Sequence, residues 1–421
     1  MLQGWRLENR ENKTGMRILH SSDWHLGQHF MGKTRQAEHQ AFTTWLIEQC
    51  AAHAVDALII AGDIFDTGAP PSYARELYNE FIVALRATGT QLVVLGGNHD
   101  SVAMLGESRS LLTHLNTRVI PSVTRDLNEQ LLVLQDRAGN PAAVLCAIPF
   151  IRPRDVMSSQ AGQSAQDKQL SLQEAIHDHY QQLYSLAEQR RDELGGALPI
   201  IATGHLTTVG ASASESVREI YVGALEAFPT SAFPPAAYIA LGHIHRPQKV
   251  GGLEHIRYSG SPIPLSFDEA KQSKEVLLVE FHGRALHSIQ ALAVPRSQAL
   301  VSVRGNLEEL QSAITSAAEQ GTPEQTVWLE VCVSGDDYLS DLQSRIQAMT
   351  EGLPVEVLRI RRERGMAKAS LQGSAKETLD ELSTDEVFAQ RLSSETLEAD
   401  LQQRLQGLYR QVVSELQEGD E

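Results

Sequence analysis

In five places along the first 245 residues, a short apolar run breaks off into a polar turn carrying Asp, Asn or His. The turns read Asp23-x-His25, Gly62-Asp63, Gly97-Asn98-His99-Asp100, Gly204-His205 and Gly242-His243-x-His245. The runs before them (residues 17–20, 57–61, 91–95, 199–202 and 238–241) are strand-length and bounded by Gly, Pro or polar residues, as is a further run at 143–148. Residues 35–51 and 73–87 carry helical periodicity between them. Strand–helix alternation predicts a layered sheet with helices on its faces. In such folds ligand-binding groups collect on loops at the carboxyl ends of strands, and each of the five turns occupies such a loop. The expected class is α/β, with α+β character.

The turns supply carboxylate, imidazole and amide groups enough for two divalent cations. Two cations about 3.5–4 Å apart are a standard device for hydrolysing phosphate esters. Asp23 and His25, on one loop, can reach the first ion together, and His245 completes it. Asp63 is placed to bridge both ions, and Asn98, His205 and His243 serve the second. Oxygen and imidazole donors suit manganese, magnesium, iron or zinc, and the lack of thiolate disfavours a closed structural zinc site. His99 follows a ligand and points elsewhere, so it reads as the acid that protonates the leaving oxygen or as a group that steadies the pentacoordinate state. Asp100 is expected to hold its ring nitrogen.

Bulk properties narrow the choice. The formal charge is −17, which argues against gripping nucleic acid by bulk electrostatics. A nuclease with this charge must rely on its metals, a local basic patch or a partner. No apolar stretch approaches the roughly 18 residues of a membrane span. Residues 1–15 are polar, lack the centre of a secretion signal and are set apart from the fold. Cys50, Cys146 and Cys332 have no metal or redox spacing, and read as small hydrophobes in a reducing cytoplasm.

Three segments are expected after the leader. The sheet domain runs over residues 16–285 and carries a polar insertion between Pro153 and Gly196. There Leu172, Ile176, Tyr180, Leu183 and Ala187 form one apolar helix stripe, and His177 and His179 read as surface or packing residues. Residues 299–364 predict a small β-α-β-α-β unit, followed by a connector rich in Gly, Ala and Ser. Arg359, Arg361, Arg362 and Arg364 cluster at the end of its last strand, either as a solvated edge or as phosphate contacts. The tail, 376–421, has four basic and twelve acidic residues. Its Leu397, Leu401, Leu405, Leu408, Val412 and Leu416 make one apolar face that needs covering.

Read as DWH, GDIFDTG, GGNHDS, ATGHLT and GHIHRPQ, the five groups resemble the calcineurin-like metallophosphoesterase superfamily. Within it, the longer stretches MRILHSSDWHLGQ, LVVLGGNHDS and YIALGHIHRPQ, with YSGSPIPLSFDE, are similar to the nuclease subunits of bacterial SbcCD complexes. The resemblance runs from Met16 to the tail. It implies a layered β-sandwich flanked by helices, with a capping domain at 299–364 and two manganese ions (magnesium as the alternative). It further implies a 3′-to-5′ exonuclease on double-stranded DNA and an endonuclease on single strands and hairpins, acting in repair, recombination and replication. The implied partner is an SbcC-type coiled-coil ATPase docked on the tail, in a heterotetramer built on a nuclease homodimer. One departure concerns Asp66, where archaeal and eukaryotic relatives carry a histidine that handles the substrate phosphate. A carboxylate there either does a different job or caps the turn. The competing function is a phosphatase or phosphodiesterase acting on small molecules or proteins; the extra domain and the tail speak against it.

Overall fold

A computed structural model describes residues 15–157, 165–217, 227–334 and 341–363, together with Arg404 and Leu408. Two six-stranded sheets dominate it. The first runs, edge to edge, Ala285–Ala293, Glu275–His282, Gly15–Ser21, Ala57–Ile60, Gln91–Leu95 and Thr117–Ile120. The second runs Gln248–Val250, Leu253–Tyr258, Tyr238–Gly242, Ile200–His205, Pro141–Cys146 and Leu131–Gln135. The central strands of each sheet are parallel.

The apolar runs are continuous because both faces of each central strand are covered. Ile18, Ala57, Ile59 and Val93 pack between the sheets against Leu145, Ile201 and Ala240. Their neighbours Leu19, Leu58, Ile60 and Val94 face the helices Gln36–Ala52 and Ser72–Leu85 with Leu46, Leu77 and Phe81. On the far side, helix Ala165–Glu193 covers the second sheet, and Leu172, Ile176, Tyr180, Leu183 and Ala187 are all fully buried. His177 bonds the Ala232 carbonyl and His179 bonds Gln130, both in packing roles. The layering is therefore helix, sheet, sheet, helix.

The first sheet does not close at residue 285, because Ala285–Ala293 adds an antiparallel edge strand along Glu275–His282. That strand is mostly exposed, so it lacks the apolar run that marks the buried strands. Beyond it, strands Leu300–Gly305, Val327–Ser334 and Val355–Glu363 make a three-stranded sheet with helices Leu307–Ala318 and Leu342–Thr350. Its Leu300 and Trp328 pack with Phe30, on the loop after the first strand, and with Phe267 and Ala270, just before strand Glu275–His282. Buried Arg35 lies over the Phe30 and Trp328 rings and pairs with Glu38. Of the tail, only Arg404 and Leu408 are described; both are helical, and Leu408 is exposed. The expected docking stripe otherwise lies outside the described residues, as does Arg364.

Candidate metal centre

The five polar turns meet at one end of the two sheets because each follows the carboxyl end of a parallel strand. Asp23 and His25 leave the strand Gly15–Ser21, and their amides bond the carbonyls of Gly62 and Asp63, joining the first two turns. The Asp63 Oδ1 accepts from the His99 amide at 2.9 Å, and Asp23 Oδ1 accepts from the His243 amide at 2.9 Å. Each carboxylate thus ties its own turn to another. The backbone is strained where this happens. Among the described residues, seven non-glycine residues have positive φ, and four of them are Asp23, His25, Asp63 and His243. Such conformations persist where the surroundings over-determine them, typically at functional sites.

Two glycines admit this crowding. A Cβ on Gly62 (φ +94) would lie 2.2 Å from His205 Nδ1, and one on Gly97 would lie 2.1 Å from Asp63 Oδ1. Only the absent side chain lets those turns approach.

Ligand-type atoms of Asp23, His25 and His245 fall within 4.8 Å of one another, as do those of Asp63, His205 and His243. Asn98 Oδ1 lies 2.9 Å from His205 Nε2 and 3.2 Å from His243 Nδ1, joining the second group. Asp63 Oδ2 stands between the groups, 3.2 Å from His205 Nε2 and 3.7 Å from His25 Nε2. All seven residues expected as ligands are therefore brought together.

Whether this donor set suits a cation can be judged from its protons. The His205 Nδ1 bonds the Ala61 carbonyl, which can only accept, so the ring carries its proton there. Its Nε2 then presents a lone pair towards the Asn98 oxygen and the Asp63 carboxylate. Three electron-rich atoms converging in a buried place call for positive charge. The pKa shifts agree: burial would lower His205, but Asp63 overrides it and raises the imidazole to about 9, so that without a cation a second proton takes up Nε2 in its place. Asp63 is lowered well below the usual range against its own burial, chiefly by His205. His25 Nε2 and His243 Nε2 are buried with no hydrogen-bond partner, although burying such a nitrogen unpaired is costly. These residues fit divalent cations.

Asp100 needs correcting. Its carboxylate accepts from the amides of Gly97, Ile64 and Phe65, stapling the third turn to the second. Burial and the Asp63 charge raise it to about 6. His99 Nδ1 is instead held by the Asp66 carbonyl at 2.7 Å. Three backbone donors, one in its own turn and two in the neighbouring one, outcompete the imidazole of the preceding residue.

Residues 16–247 match the family model described as calcineurin-like phosphoesterase, and 296–396 match one described as Type 5 capsule protein repressor C-terminal domain. The SbcD subunit of the SbcCD nuclease from Escherichia coli K12 is 55% identical over 397 residues, spanning 94% of this chain and 97% of that protein. The chain belongs to the SbcD family of calcineurin-like phosphoesterases. The SbcD protein of Rhodobacter capsulatus is 34% identical over 354 residues, covering 81% of this chain and 86% of its own length. That of Bacillus subtilis is 30% identical over 331 residues, covering 77% and 81%. As a family member, this chain is a metal-dependent phosphodiester hydrolase.

Asp66 sits at the edge of the cluster. Its Oδ1 is 3.1 Å from His25 Nδ1 while its carbonyl holds His99, so it orients two imidazoles at once. Its side chain also lines the cleft beside His25 and His99. Arg359 lines the same cleft, of about 360 Å³, with His25, His99 and His245. It pairs with Glu330 and lies over Phe267, while Arg361 reaches Glu215 at 3.5 Å. Arg362 is exposed. Ser22, which donates to Asp23 Oδ2 at 2.6 Å, and Glu269, beside His245, escape a sequence reading. Both lie outside the five turns, and only Ser22's place next to Asp23 hints at its part.

Proposed function

We propose that this chain is a two-metal DNA nuclease, cutting double strands 3′ to 5′ and opening single strands and hairpins. It does so under the control of an SbcC-type coiled-coil ATPase, in DNA repair, recombination and replication in the cytoplasm. The observation that carries the reading is the convergence of two carboxylate–imidazole clusters about Asp63, in a chain 55% identical to the SbcD subunit of the Escherichia coli SbcCD nuclease.

Asp23, His25 and His245 would hold one ion, Asn98, His205 and His243 the other, and Asp63 both. When bound, manganese or magnesium ions supply an activated water and neutralise charge on the phosphate. The chain's own residues do the rest. Asp66 aligns His25 through Nδ1, so that Nε2 faces the centre. His99 donates its Nδ1–H to the Asp66 carbonyl, so the second proton, which the imidazolium form carries on Nε2, is the one passed to the leaving oxygen. The three-stranded sheet at 299–364 caps the cleft and brings Arg359 to the DNA backbone, with Arg361 and Arg362 further along the strand. The acidic tail, 376–421, docks on the ATPase through its apolar stripe, within a heterotetramer built on a nuclease homodimer.

Hairpin and linear DNA assayed with Mn2+ beside p-nitrophenyl esters tests the substrate class. Cleavage of DNA well above the small esters is expected; the reverse preference would make the chain a phosphatase. In the same assay Arg359→Ala should weaken DNA binding about equally across sequences. The salt slope of log K should fall by about 1, since one phosphate contact is lost.

A further inference from the structure

His245 is gripped from behind by a buried ion pair that none of the proposed chemistry uses. Glu269 is fully buried and Lys274 nearly so. Taking both charges out of water is expensive, and a hydrophobic pair would pack at least as well. The hydrogen bonds indicate what the pair does. Glu269 Oε2 accepts from Lys274 Nζ at 2.6 Å, the Leu265 amide at 3.0 Å and Ser261 Oγ at 3.3 Å. Its Oε1 accepts from Ser214 Oγ at 2.6 Å and Ser216 Oγ at 2.5 Å. Lys274 also donates to the His245 carbonyl at 2.9 Å. The ring of His245 meets Ser216 Oγ through Nδ1 at 2.6 Å and stands 3.4 Å from Glu269 Oε1.

Counting protons gives this arrangement a direction. An ionised carboxylate only accepts, and the ammonium of Lys274 keeps Glu269 ionised. A serine hydroxyl has one proton, so Ser216 donates it to Glu269 and its oxygen must accept from His245. His245 therefore carries its proton on Nδ1, with the lone pair on Nε2. We propose that Glu269, acting through Ser216, is a positioning residue that fixes His245 in the one tautomer able to ligate a cation. Ser214, Ser216 and Glu215, whose amide bonds Asp268, belong to one loop, so the same contacts tether that loop to the metal centre. The inference rests on the two-metal reading above and concerns only how one ligand is prepared.

Glu269→Gln separates this role from packing, because the shape is kept. The amide oxygen must face Lys274, so the NH2 group faces Ser214 and Ser216. Ser216 then accepts from the amide and turns its own proton to His245 Nδ1, forcing the proton to Nε2. Two measurements follow on the full chain. In 15N NMR of histidine-labelled, metal-free protein, with His245 assigned by its loss in His245→Gln, the wild type should show Nδ1–H. Mn2+ titration by calorimetry should show two wild-type sites, one of them weakened about 10–100-fold in Glu269→Gln, the range for partners behind a ligating histidine. Ser216→Ala should weaken it less, since Nδ1–H then faces Glu269 directly. A wild-type His245 protonated on Nε2 overturns the proposal even if Glu269→Gln does not fold. Two wild-type sites that are both unchanged in Glu269→Gln overturn it as well. Fewer than two sites in the wild type would instead overturn the metal reading beneath it.

Discussion

Replacing His99 by alanine is expected to leave the fold and Mn2+ binding intact while DNA cleavage falls roughly 10²–10⁴-fold, the range for a lost general acid. The reasoning is geometric. His99 lines the cleft, its backbone amide anchors Asp63, and its ring hangs from the Asp66 carbonyl. Alanine keeps the amide and so keeps the bridge in place. Only the ring, with its transferable proton, is removed. Single-turnover cleavage of a hairpin substrate, beside Mn2+ calorimetry of the same variant, separates the two effects. Near-normal cleavage would remove His99 from the mechanism, and lost metal binding would make it a ligand instead.

Asp63→Asn should act on the opposite term. Asp63 is almost fully buried, with one oxygen fixed by the His99 amide and the other set between His205 and His25. An amide of the same shape brings no charge, and its NH2 group would face imidazole lone pairs. Both ions should be weakened together, by more than the roughly 10–100-fold that follows from disturbing a group behind a ligand. Thermal unfolding gives a readout without substrate. Ligand at about 100 times its Kd stabilises a native state by about 2.7 kcal/mol. The wild type should therefore gain melting temperature with Mn2+ while Asp63→Asn gains little. Equal gains in both would deny Asp63 its bridging place.

What the sequence displays and what it hides divide along physical lines. The five turns are legible because each needs an unusual residue type directly after a buried strand, and that strand is apolar throughout. The helix stripe Leu172, Ile176, Tyr180, Leu183 and Ala187 is legible for the same reason: one face is wholly covered. Strand Ala285–Ala293 is not, since an exposed edge imposes no pattern on its residues. Asp100 is misread because adjacency in sequence suggests a bond to His99, whereas the turn hands its carboxylate to three amides from two segments. Asp66 shows no partner in the sequence, and only the fold sets its side chain against His25 and its carbonyl against His99. Glu269 lies 24 residues beyond His245, and only the folded chain brings the two together.

Asp23, His25 and His245 on one side, Asn98, His205 and His243 on the other, and Asp63 between them make a claim about two positions in space. Anomalous diffraction at the manganese edge, from crystals soaked in Mn2+, tests it most directly. Two peaks about 3.5–4 Å apart, flanking the Asp63 carboxylate, are the expected result. A single peak, or peaks away from these side chains, would contradict the account.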